Sequence, residues 1–164
     1  MQFIPTFTTA RDLFESAREA SKDAERCRRQ ILTLESRASS LGGGGTGQRV
    51  SSTPDPKRME LRIATYVDQE RKLDARMEDD YRLIDLATRV LYGCEGVEGV
   101  DSVSPTWADV LWWRYLDNAS WRDVARAVDY SPTQCQTFAK NAFAWLDEVE
   151  LVPKVLSASM DLFS

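Results

Sequence analysis

Thr106 to Glu148 reads TWADVLWWRYLDNASWRDVARAVDYSPTQCQTFAKNAFAWLDE, and its punctuation decides the fold. Ser120 followed by Asp123 is a helix-start signal, and Ser131-Pro132-Thr133-Gln134 repeats it with Pro at the first helical position and Gln at the third. The two starts stand eleven residues apart, which leaves room for one short helix and a tight turn before a longer helix. That is the spacing of a helix-turn-helix, whose second helix is offered to a nucleic-acid groove.

The apolar positions agree. Trp121, Val124, Ala125 and Val128 share one face of the shorter helix, and Cys135, Phe138, Ala139, Ala142 and Leu146 share one face of the longer. Ala125 is small enough for the two helices to approach closely, and Tyr130, just before the cap, packs to fix the turn. Trp107, Val110, Leu111 and Tyr115 supply a preceding helix that closes a three-helix core over 105–148. The longer helix keeps Thr133, Gln134, Gln136, Thr137, Lys140 and Asn141 outside. These are candidate DNA-binding residues: Gln pairs with adenine through two hydrogen bonds, Thr offers a methyl to thymine, and Lys140 and Asn141 lie one turn on, placed for phosphate.

The run RYLDNASWRDVARAVDYSPTQC, continued by Ala142 and Leu146, resembles the DNA-binding region 4 of bacterial sigma factors. It is more similar to small phage and prophage proteins of that type, related to the ArpU and RinA late-transcription regulator families. In those, a heptad helix, a Gly/Ser-rich gap, a second long helix and a trihelical unit follow in this order, so the resemblance covers nearly the whole chain. It implies a DNA-binding transcription regulator of phage or prophage type, with the helix from Pro132 in the major groove and RNA polymerase as a further partner. The chain departs from the sigma pattern at Asn141, where Arg is usual before the Ala, and at Phe138, a commonly basic position.

Charge sets a limit on that reading. Between Ser104 and Glu148 the cations Arg114, Arg122, Arg126 and Lys140 face six acids, a net −2, and the whole chain carries −5. Neutralising phosphates supplies most non-specific affinity for DNA, so this unit alone is expected to bind double-stranded DNA weakly, assisted by oligomerisation, by the basic first helix or by polymerase. The same acidic balance, with Trp112-Trp113, Phe143 and Trp145 as contact aromatics, fits an alternative: a non-catalytic helical adaptor or assembly protein, such as a small packaging subunit, that uses the unit for protein contacts. At helical spacing at least one of Trp112 and Trp113 must face the core.

Composition narrows the remaining classes. With 43% hydrophobic and 29% charged residues, and no apolar run near the roughly 18 residues of a span, the chain is expected to be an all-α protein without a membrane segment. Its start, MQFIPTFTT, lacks the parts of a secretory signal, and a cytoplasmic location is expected. Cys27, Cys94 and Cys135 stand singly and in odd number, outside any disulfide or zinc spacing. The chain has no histidine, which removes the commonest general base and nucleophile pairs. No catalytic residue, cofactor or metal is assigned, and Glu78-Asp79-Asp80 reads as a solvated face because consecutive helical acids point apart.

Ahead of the trihelical unit two long helices are expected, forming a stalk or an antiparallel hairpin. Within 1–41, Leu13, Ala17, Ala20, Ala24, Cys27, Ile31, Leu34, Ala38 and Leu41 alternate steps of four and three, a heptad seam rich in Ala that buries little per residue and needs a partner. Its other face is basic, with Arg18, Lys22, Arg26, Arg28, Arg29 and Arg37. Residues 42–56 hold four consecutive glycines and two prolines and read as a flexible linker. In the second long helix, 57–92, Met59, Ile63, Tyr66, Leu73, Met77, Ile84, Ala87 and Leu91 form a seam that Glu70 and Asp80 interrupt. The seams can pair within the chain or, as a homo-oligomer, with copies of themselves; residues 1–58 hold 10 basic and 7 acidic groups against 6 and 11 over 59–103, which favours the hairpin. Glycines place a second linker at 93–104, and 149–164 reads as a tail, frayed apart from one apolar turn, whose removal should leave the trihelical unit intact.

Overall fold

The computed structural model describes residues 5–42 and 55–163. Within them the chain forms α1 (Ala10–Gly42), α2 (Pro56–Tyr92), α3 (Pro105–Leu111), α4 (Trp121–Val128), α5 (Pro132–Glu148) and α6 (Leu151–Ala158). An isolated bridge between Cys94 and Val97 is the nearest approach to a strand among these residues, so the fold is all-α, as the patterning predicts. Most of the linker read at 42–56, from 43 to 54, lies outside the described residues. The chain divides into two compact units, one made of residues up to Lys22 and from Asp80 onward, the other of Asp23–Asp79.

In the first unit each helix start of the central stretch is capped. Ser104 Oγ accepts from the Trp107 N–H at 3.3 Å, Ser120 Oγ from Asp123 at 3.2 Å, and Ser131 Oγ from Gln134 at 3.1 Å, each satisfying an N–H that has no partner inside its helix. Pro105 and Pro132 occupy the first turns of α3 and α5, where a missing N–H costs nothing. α3 widens into a π-helical turn over Trp112–Leu116, closed by the Asp117 N–H on the Trp112 carbonyl at 3.0 Å. The extra residue in that turn lets adjacent Tyr115 and Leu116 both be buried. Asp129, left-handed at φ 63°, ends α4, a conformation that Asp tolerates better than most residues.

This unit holds more than the three helices. The first turns of α1 belong to it: Leu13, Phe14 and Ala17 are fully buried, and the Ala10 N–H donates to Asp147 Oδ1 of α5 at 2.8 Å, which caps the start of α1. The last turns of α2 contribute Leu86, Ala87, Val90 and Leu91 to the same core. The heptad reading of 1–41 as a separate helix therefore needs correction: its first half is core, and Phe14, off the seam, is among the largest fully buried side chains.

Two segments read as unstructured are folded. Within 93–104, the Cys94 N–H donates to Val97 O at 3.0 Å and the Val97 N–H returns the bond to Cys94 O at 2.9 Å. Val100 then enters the core fully buried at the head of the 3₁₀ turn Val100–Ser102. The glycines that suggest a linker serve close packing instead. Gly93 takes φ 88°, and a Cβ at Gly99 would stand 2.4 Å from Gly93 N and 2.5 Å from Leu91 O. Because those neighbours are backbone atoms, Gly99→Ala is expected to cost about 1–3 kcal/mol, as overpacking does, read as a lower midpoint in urea unfolding. The tail is likewise ordered: α6 buries Leu151, Val152 and Val155, and Leu156, Leu162 and Phe163 pack against the core. Its apolar residues are too few to advertise a helix by pattern, and their burial comes from the surface that waits for them.

The second unit is a pair of antiparallel helices. Asp23, on α1, accepts from both Nε (2.6 Å) and Nη2 of Arg76, on α2, while Glu35, further along α1, lies against Glu70, earlier in α2. The chain thus pairs its own long helices here. Ala24 and Cys27 of the seam are buried, whereas Ile31, Leu34, Ala38, Met59, Tyr66, Leu73 and Met77 are half-buried. Glu70 interrupts the seam as its position predicts: its carboxyl sits above the usual range because of its hydrogen bond to Glu35, then because of burial and the nearby charges of Glu35 and Asp74.

Candidate nucleic-acid interface

α5 is divided lengthwise. Cys135, Ala139, Ala142, Phe143 and Leu146 are buried, and burial pushes the Cys135 thiol up, keeping it a protonated packing group. Thr133, Gln134, Gln136, Thr137, Lys140 and Asn141 are all exposed. At about 100° per residue these six fall within about 160° of the helix circumference, so the structure brings every candidate contact residue onto one continuous stripe. Thr137 Oγ donates to the Thr133 carbonyl at 3.1 Å, which fixes the rotamer of its methyl group.

The stripe starts where α4 ends. α4 packs on α5, with Val124 and Ala125 buried, and the short connection through Asp129 and Tyr130 returns the Tyr130 N–H to the Ala125 carbonyl at 3.2 Å. The exposed Tyr130 ring stands edge-on to Phe138, centroids 5.0 Å apart. The departure at Phe138 from a basic residue therefore has a local cause: that position is half-buried under Tyr130 and holds the turn. Trp112 and Trp113 are both half-buried against the core and edge-to-face with each other at 5.0 Å, a packing role for the pair.

The cations are not equivalent. Arg114 stacks over the Trp121 ring at 4.7 Å and donates to the Ala119 carbonyl at 3.1 Å, and burial, with Arg18 nearby, lowers its pKa. It is committed to the loop between α3 and α4. Lys140 is the one cation of α5, and Arg122 and Arg126, both exposed on α4, stand beyond the candidate set; Arg126 is only loosely held by Asp123, at 3.9 Å. Helical spacing could have found these two, since both lie off the apolar face of Trp121, Val124, Ala125 and Val128. Arg18 is half-buried rather than part of a free basic face. No helix of the described residues is long and apolar enough to cross a membrane. No protein-family model, no curated protein and no solved structure matches this chain.

Proposed function

We propose that this protein is a DNA-binding transcription regulator of phage or prophage type that reads duplex DNA with α5. The observation that carries the reading is the stripe of six exposed polar side chains on a helix whose opposite face is locked into the core and whose first turn is capped by Ser131. Gln134, Gln136 and Thr137 occupy the early turns, where a recognition helix meets base edges, and Lys140 and Asn141 follow one turn later at phosphate height. With few free cations, affinity rests on assistance, from RNA polymerase or from a second copy of the chain that places two such helices on one DNA.

The test is binding of the full chain, at low salt and with or without RNA polymerase, to duplexes from its own genomic neighbourhood. Gln136→Ala is expected to cost about 1–3 kcal/mol on a specific site and to relax sequence choice. Lys140→Ala is expected to weaken all duplexes alike and to reduce the salt slope by about one. The adaptor reading rests on the net charge of −2 over residues 104–148 and on the exposed Tyr130 ring. It takes over if no duplex is bound in a way these substitutions alter.

A further inference from the structure

Arg28, Leu32 and Glu35 succeed one another on α1 at steps of four and three, the spacing that stacks side chains on one helix face. Leu32 is 57% exposed. Among the described residues Arg28 makes no ion pair, although Arg26 stands 3.9 Å from Asp23 and Arg29 lies 3.3 Å from Glu25. On α2, Ile63, Val67 and Glu70 are spaced in the same way, with Ile63 37% and Val67 41% exposed. The contact of Glu35 with Glu70 joins the two rows into one face of the hairpin. Among the described residues, that face carries three exposed aliphatic side chains, a carboxyl pair with no cation beside it, and a guanidinium with no carboxylate.

We propose that this face docks on the same face of a second copy of the chain, antiparallel about a twofold axis near Leu32, so that Arg28 of each copy reaches the Glu35–Glu70 carboxyl pair of the other. A twofold contact must be self-complementary: if residue i meets j, then j meets i. Arg28 and Glu35 stand almost equally far to either side of Leu32, about 10 Å apart along the helix, and they carry opposite charge. Turning the face over on itself therefore matches each lone cation with an uncompensated carboxyl pair and sets Leu32 against Leu32. Burial argues the same way. Within Asp23–Asp79 the buried seam residues are only Ala24 and Cys27, so the hairpin covers little apolar surface by itself and gains from another helical pair.

Like-charge relief gives the contact its specificity. A partner lacking a cation at this spacing would leave two carboxyls facing each other in a partly desolvated interface. The contact does not depend on DNA recognition by α5, although two joined copies would supply the second recognition helix that weak binding calls for.

Sedimentation equilibrium of the full chain over a concentration series tests this directly, with circular dichroism to verify that each variant is folded. The parent is expected to be a reversible dimer. Arg28→Glu and Glu35→Arg, both at exposed positions, are each expected to weaken association by about tenfold or more, and the double variant, which restores the opposite pairing, is expected to recover most of it. A parent that sediments as a monomer throughout overturns the proposal. So does a dimer that neither single substitution weakens, or a double variant no better than the singles. Dimerisation without DNA binding would leave this interface standing and remove only the regulator reading.

Discussion

A chain that stops at Glu150 is expected to lose cooperative unfolding, although the composition of its last residues reads as a dispensable tail. Removing α6 and the residues after it uncovers the surface on which Leu151, Val152 and Val155 are buried, and against which Leu156, Leu162 and Phe163 pack. Burying three aliphatic side chains contributes about 1.5–3 kcal/mol each, so their loss is comparable with the whole stability of a domain, about 5–15 kcal/mol. The truncation also removes the ion pair of Arg89 with Asp161 at 3.3 Å, which as a mostly exposed contact adds little. Thermal unfolding followed by circular dichroism is the measurement, beside Val155→Asp in the full chain, which places a charge at a fully buried position without shortening anything. A truncated chain that melts in one sharp transition at the parent's midpoint would show that α6 is accessory after all.

What the sequence makes legible is local, and what it hides is tertiary. The Ser caps, the Pro at the first helical positions and the two-sided pattern of α4 and α5 are written in neighbouring residues, because a cap bond spans three positions and a helix face repeats every three or four. The six polar residues of α5 can be named for the same reason. The roles of Val100, Phe14 and α6 cannot. Each is buried by a surface assembled from distant parts of the chain, and the glycines around Val100 have the composition of a linker while serving a turn at Gly93 and a close backbone approach at Gly99. The Ala-rich seam of α1 is visible as a period, but the period does not say what covers it: Leu13 and Ala17 lie in the core of the first unit, Ala24 and Cys27 in the hairpin.

Those hidden contacts bear on the candidate interface. A recognition helix is useful only if its outer residues are held still, since base contacts tolerate little displacement. α5 is held along its inner face by α3 and α4, and at its last turns by Asp147, which binds the start of α1. The first residues of α1 therefore belong to the support of the stripe, and any reading function of α5 should respond to changes in them.

Phe14→Ala is expected to show that dependence most strongly. Phe14 is fully buried, its ring 6.0 Å from Tyr115 in an edge contact and 5.6 Å from Phe143, while Tyr115 and Phe143 meet edge-on at 5.4 Å. The three rings join α1, the π-helical turn and α5 at one point, and Arg11 covers the Phe143 ring at 4.8 Å. Truncating a buried Phe to Ala costs about 3–5 kcal/mol, because the lost transfer energy is added to the cavity left behind. In a chain of this length that lowers the melting midpoint by about 10 °C. Phe14→Leu keeps most of the volume and is expected to lose well under half as much. If DNA binding by the parent is established, Phe14→Ala is expected to weaken it on all duplexes while the protein is still folded, since the aromatic contact that steadies the C-terminal half of α5 has gone. A midpoint that moves no more for Ala than for Leu would mean that the three rings do not share one core, and α1 would then have no part in supporting the stripe.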